Sequence, residues 1–189
     1  MPSSYVLWAA AAVLLFWGVG ANNRLMRLRA EAKSAFAALE SELSKQVVLV
    51  NESLPPAQAT QPAPLDDDAN FWAGLHGATS QLAASLAAAR RRPLEPEGIA
   101  ALSAAHDVLA MAWERAERHD AHDLAGPWLP ETLTSRRAQI VMQTQAAIEQ
   151  FNLAVVRYNE GIAQFPAVLL ALLFGFKPGR GVRALAGRP

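Results

Sequence analysis

From residue 25 onward, apolar positions recur with a fixed rhythm. Leu25, Leu28, Ala32, Phe36, Leu39, Leu43, Val47, Val50 and Leu54 follow a 3,4,4 spacing, an eleven-residue period. Eleven residues in three turns is about 3.67 per turn, so a helix can keep one face on a core while staying almost straight. Glu31, Lys33, Glu40, Glu42, Lys45 and Glu52 fall off that stripe. The pattern predicts one long helix reaching about Leu54, where Pro55-Pro56 stops it. The stretch 55–65, PPAQATQPAPL, is too Pro-rich to be helical and reads as a linker.

A second helix opens at Asp66-Asp67-Asp68 and closes at Arg90-Arg91-Arg92, each charge run suited to its pole of the helix dipole. Its stripe is Trp72, Leu75, Leu82, Leu86 and Ala89. The third starts near Pro96-Glu97, with Pro in the first turn. It buries Ile99, Leu102, Ala105, Leu109, Ala112, Trp113 and Ala116 and fades around 119–122. The fourth begins about Glu131 and carries Leu133, Ile140, Val141, Ile148, Phe151, Val155, Ile162 and Phe165 over about 35 residues, up to Pro166. The fold class expected is all-α: an antiparallel bundle of about four helices with two long members, preceded by a transmembrane helix.

That preceding segment, 1–21, carries no charged side chain. As helix it spans roughly 31 Å, near the hydrocarbon thickness of a bilayer. Leu14, Leu15 and Phe16 fill its middle, and Tyr5, Trp8 and Trp17 lie where amphipathic rings favour the interface. Arg24, Arg27, Arg29 and Lys33 follow it, so the positive-inside rule puts the N-terminus outside and the bundle in the cytoplasm. A cleaved signal peptide and a buried soluble helix are the rival readings; Pro2-Ser3-Ser4 lacks the basic start of a signal peptide.

Composition sharpens the division. The 189 residues hold 17 basic and 17 acidic side chains, but the balance is uneven: 22–176 has a net charge of −4, and 177–189 has four basic residues and no acidic one. An acidic body speaks against nucleic-acid binding. Absence of cysteine excludes disulfides, thiol nucleophiles and Cys-type metal sites. The domains expected are an anchor over 1–21, a bundle over 22–176 and a basic flexible tail over 177–189. Four antiparallel helices return the chain to its starting end. The apolar run 168–176, with Phe174 and Phe176, and the basic Lys177, Arg180 and Arg183 would then meet the membrane surface. The competing reading makes Leu169, Leu170, Leu172, Leu173 and Phe174 a cap on the bundle core.

Asn23-Arg24-Leu25-Met26-Arg27-Leu28-Arg29 follows the apolar segment, and the far end carries Phe151-Asn152, Val155, Arg157-Tyr158-Asn159, Ile162, Phe165-Pro166 and Gly175-Phe176-Lys177-Pro178. Together these resemble the LemA family of bacterial membrane-anchored helical proteins, with its "YNRLVRLR" junction, paired "YN" motifs, "FP" and "GFKP". The match covers about 55 residues. Residues 45–54, the linker and the 119–122 turn depart from the family pattern. The resemblance implies a single-span inner-membrane protein with a cytoplasmic or membrane-apposed bundle and no established activity. Some relatives organise membrane compartments, and neighbouring genes often encode membrane peptidases, which points to a scaffold or adaptor.

Chemistry-bearing residues are few. His119 and His122 share a helical face beside Asp120 and Asp123, the spacing of a metal site, but also of a polar helix end. His76 and His106 stand alone. Asn152 and Asn159 lie two turns apart on one face, where buried Asn can set helix register; Asn23 or Glu31 of the first helix is the partner expected. Phosphate-loop, nucleophile-elbow and H-E-x-x-H patterns are missing. The function expected is a non-enzymatic, membrane-anchored scaffold without cofactor. Its partners would be the lipid bilayer, a membrane or cytoplasmic protein and, through self-association, a second copy. The alternatives are a membrane-binding or remodelling protein acting through 165–183, and a metal-dependent enzyme at His119 and His122.

Overall fold

The computed structural model describes residues 2–53, 67–120, 131–165 and 167–183. Five helices account for them: α1 (Pro2–Ser53), α2 (Asp67–Arg91), α3 (Pro96–Asp120), α4 (Glu131–Ala163) and α5 (Ala167–Phe174). Among the described residues there is no strand, so the chain is an all-α bundle. The linker 55–65 and the 121–130 connection lie outside the described residues.

The periodic stripe predicted for the first helix becomes the spine of the core. Leu25, Ala32, Phe36, Leu39, Leu43 and Val50 are all buried. Against them α4 runs antiparallel. Phe36 meets Phe151 edge-on with centroids 5.6 Å apart, Gln46 donates to Thr144 Oγ1 at 2.9 Å, and Glu52 pairs with Arg136 at 3.1 Å. Each α1 partner moves up the helix as its α4 partner moves down. On the other side α2 packs antiparallel to α1, with Arg90 reaching Glu40 at 3.0 Å.

The α2–α3 hairpin turns in four residues. Glu95 N–H donates to Arg92 C=O at 3.0 Å around Pro93, whose fixed φ suits the second position of a β-turn. Ile99 N–H then donates to Glu95 C=O at 3.1 Å, which makes Pro96 the first helical residue, where its missing N–H costs nothing. Trp72, Leu75, Leu82, Leu86 and Ala89 of α2 and Ile99, Leu102, Ala105, Leu109 and Trp113 of α3 join the main core with the α1 and α4 stripes.

One expectation is corrected at the end of α4. The helix stops at Ala163, and Phe165 is 66% exposed where the stripe placed it in the core; its ring instead meets Trp17 edge-on at 5.2 Å. Pro166 lies outside the described residues. Beyond it the apolar run forms the separate helix α5, with Ala167 and Ala171 against Leu25, Tyr158 and Ile162. A second correction concerns 177–183, expected as part of a flexible tail. These residues run extended from α5 back up the bundle and lodge Val182, 3% exposed, in the main core.

Burial at the α1–α4 contact gives the first prediction. Phe151→Ala should destabilise the bundle by about 3–5 kcal/mol in chemical denaturation, whereas Leu153→Ala, on the exposed side of the same turn, should change it by less than about 1 kcal/mol.

Candidate functional site

The membrane-proximal end, as the sequence foresees it, is built from the first half of α1, α5 and the segment after it. Among the described residues no helix is long and apolar enough to cross a membrane. The side chain of Leu14 lies outside the described residues. Those of Tyr5, Trp8, Leu15, Phe16 and Trp17 project from the helix into the surroundings, Phe16 at 85% exposure. Among the described side chains of α1, the first fully buried one is Leu25.

α5 is apolar on every side, and its small residues are the ones turned inward. Its two alanines face the bundle, while Val168, Leu169, Leu172, Leu173 and Phe174 face outward, Leu172 at 84%. A core cap would bury the leucines and expose the alanines, so the cap reading does not hold for these side chains. The helix ends in a Schellman turn: Gly175 takes φ +67°, and Phe176 N–H donates to Ala171 C=O at 2.9 Å. That turn reverses the chain and aims 177–183 up the groove between α3 and α4.

Two asparagines hold it there. Asn159 Nδ2 donates to Gly179 C=O at 2.9 Å, and Gly179 N–H donates to Asn159 Oδ1 at 2.8 Å. Asn152 makes the same double contact with Val182, both bonds 2.8 Å. Each carboxamide thus pairs with one residue's N–H and C=O as a neighbouring strand would. The spacing matches: seven helical residues rise about 10.5 Å, and three extended residues cover about 10 Å. The register role foreseen for these asparagines is therefore directed at the C-terminal segment. Asn23 is exposed, and Glu31 pairs with Arg157 at 3.8 Å instead.

The surrounding side chains complete the lock. Buried Tyr158 donates its hydroxyl to Lys177 C=O at 3.3 Å, and burial raises its pKa against the opposing field of Arg29. Arg183 N–H donates to Ser103 Oγ at 3.2 Å, and its guanidinium lies 3.9 Å from Asp107. Gly179 sits against Leu94 and Val155. A Cβ on Gly181 would fall 2.5 Å from Asn152 Oδ1. This arrangement corrects the membrane-proximal placement of Arg180 and Arg183: the clamps carry them up the bundle, alongside α3 and α4. Lys177 alone of the three basic residues stays at the α5 end.

Of the flanking cations, Arg24, Arg27 and Lys33 are exposed, while Arg29 is partly buried with its guanidinium 5.5 Å from the Phe176 ring centre. Metal-site residue His122 and the side chain of His119 lie outside the described residues. Among the described residues no cluster of three His, Asp or Glu could hold a metal.

Of the two histidines that stand alone in the sequence, His76 is exposed and His106 is buried in the core. His106 is 4% exposed and lines a cavity of about 40 Å³ with Gln46, Trp113 and Arg137. Arg137 is itself stacked 5.0 Å over Trp113 and paired with Glu117. Desolvation lowers the His106 pKa, partly offset by Asp107. Its spacing, four residues after Leu102 and three before Leu109, places it on the α3 stripe.

Comparison with family models, curated proteins and solved structures finds no match to this chain.

Two predictions follow from these contacts. Asn152→Ala and Gly181→Ala should each free the segment, lowering stability by about 1–3 kcal/mol and speeding tryptic cleavage after Arg180 at least about tenfold; unchanged cleavage would contradict the clamp. The second concerns acid. The unfolded chain takes up a proton at His106 below its ordinary pKa of 6.5, and the folded chain resists it. Stability should therefore be flat above that value and fall as pH drops below it, by up to about 1.4 kcal/mol at about pH 5.5. Denaturation midpoints at about pH 7.5 and 5.5 should converge in His106→Gln.

Proposed function

We propose that the chain is a membrane-anchored, non-enzymatic scaffold of the LemA type, with its bundle on the cytoplasmic side offering a surface to protein partners at the inner membrane. The observation that carries this reading is uncovered apolar surface gathered at one end. The outer half of α1 and the outward face of α5 both expose large apolar side chains, and Trp17 and Phe165 join the two. Lipid is the covering that such a surface needs, since contiguous exposed patches of this kind otherwise mark association or aggregation. Arg24 and Arg27 next to it suit the cytoplasmic leaflet. Rigid long helices and a locked C-terminal segment suit a platform whose work is to hold partners in place.

A second reading has its own observation. The outward leucines of α5 support shallow insertion into one leaflet, so that α5 acts as a membrane-surface element beside the anchor. In this reading Phe174, Phe176 and Lys177 contribute, and Arg180 and Arg183 do not.

Leu15→Glu/Phe16→Glu should release the full chain from membranes into the carbonate-soluble fraction, each charge costing about 2.5–3.5 kcal/mol at mid-span; retention would overturn the anchor. A photo-crosslinker replacing exposed Met142 on α4 should capture a protein partner in cells to a saturating level. Crosslinks to copies of the chain and to lipid alone would overturn the adaptor role in favour of the second reading.

A further inference from the structure

Three parts of the chain bring cations to one open basin of about 860 Å³ at the α5 end: Arg29 and Lys33 from α1, Arg91 and Arg92 from the end of α2, and Lys177 after α5. Two carboxylates, Glu95 and Glu97, share the lining, leaving a surplus of three positive charges. Glu95 is already engaged by Arg92 at 3.2 Å. Arg29, Lys33, Arg91 and Lys177 have no carboxylate partner within ion-pair distance among the described residues. Arg29 Nε is moreover buried without a hydrogen-bond partner among them, while the Phe176 ring holds the guanidinium in place. A half-buried guanidinium fixed by stacking, with unpaired cations around it, is built for an oxyanion. Cations that share one basin repel one another, and an anion removes that cost.

Position identifies the source of the oxyanion. The basin's rim includes Phe174, continuous with the exposed Leu172 and Leu173. α5 packs beside Ala21, Leu25 and Leu28, so Arg29 stands one turn, about 6 Å, above Leu25. If the apolar surfaces of α1 and α5 meet lipid, that is the depth of the headgroups. Resting on the membrane reading above, we infer that the basin is a binding site for the phosphate of an anionic phospholipid, with Arg29 and Arg91 gripping the phosphate and the acyl chains lying against α5.

Calorimetric titration of the full-length chain in zwitterionic micelles tests this, with dihexanoyl phosphatidylglycerol in one arm and inorganic phosphate in the other. Saturable one-to-one binding of the lipid is expected, stronger than that of inorganic phosphate. Arg29→Gln/Arg91→Gln should weaken it at least about tenfold, while Arg24→Gln/Arg27→Gln, which removes the same charge from exposed positions, should leave it within about twofold. Because Arg29 also packs on Phe176, Lys33→Gln/Arg91→Gln provides a second variant at exposed side chains, expected to weaken binding in the same direction. Equal weakening by the Arg24/Arg27 pair, or no saturable heat in the unaltered chain, would overturn the site. Equal affinity for inorganic phosphate would overturn the lipid as its ligand. Failure of the anchor reads out separately, as carbonate release of the chain from membranes, and leaves the micelle titration interpretable.

Discussion

The α5 end of the bundle depends on a match of two lengths. Two turns of α4 between Asn152 and Asn159 equal three extended residues between Val182 and Gly179, so two carboxamides can meet two backbone units at once. An extended segment inserted into a helical bundle has N–H and C=O groups that no helix supplies partners for. The asparagines supply them. With these bonds made, Val182 can fill the core and Arg183 can reach Ser103 and Asp107 on α3. Without them, the polar backbone would hold the segment in water and leave the α3–α4 groove open.

The same lock determines what α5 can do. A short helix that is half leucine, tethered at one end only, would turn its leucines toward any apolar surface within reach. Here the chain is fixed on both sides of it. α4 ends just before, and the Schellman turn at Gly175 followed by the Tyr158 contact to Lys177 holds it just after. Its alanines are thereby held on α1 and its leucines outward. The clamp therefore sets an apolar face and a basic basin side by side at the end where α1 leaves the bundle.

Much of the architecture was legible in the sequence. The eleven-residue stripe, the Pro-Pro stop and the charge runs placed the helices within a residue or two, because burial of one periodic face decides where a helix forms. The end of the chain was less legible. Phe165 continues the α4 stripe in register, yet periodicity does not say where the helix stops, and Pro166 follows immediately. The pairing of Asn152 and Asn159 was visible as a seven-residue spacing, and a second helix is the usual partner for that spacing. What would have pointed elsewhere is the glycine pattern: Gly179 and Gly181 mark backbone approaching closely, and Gly181 leaves space that the Asn152 carboxamide occupies. The basic basin joins Arg29, Arg91 and Lys177 across well over a hundred residues of sequence, and only the fold brings them together.

Backbone amide exchange across 179–183 tests the clamp most directly, because it reads the individual hydrogen bonds. In the full chain, exchange should be slow at Gly179 and Val182, whose N–H groups the asparagines accept, and fast at exposed Arg180 between them. Uniformly fast exchange through the segment would contradict it.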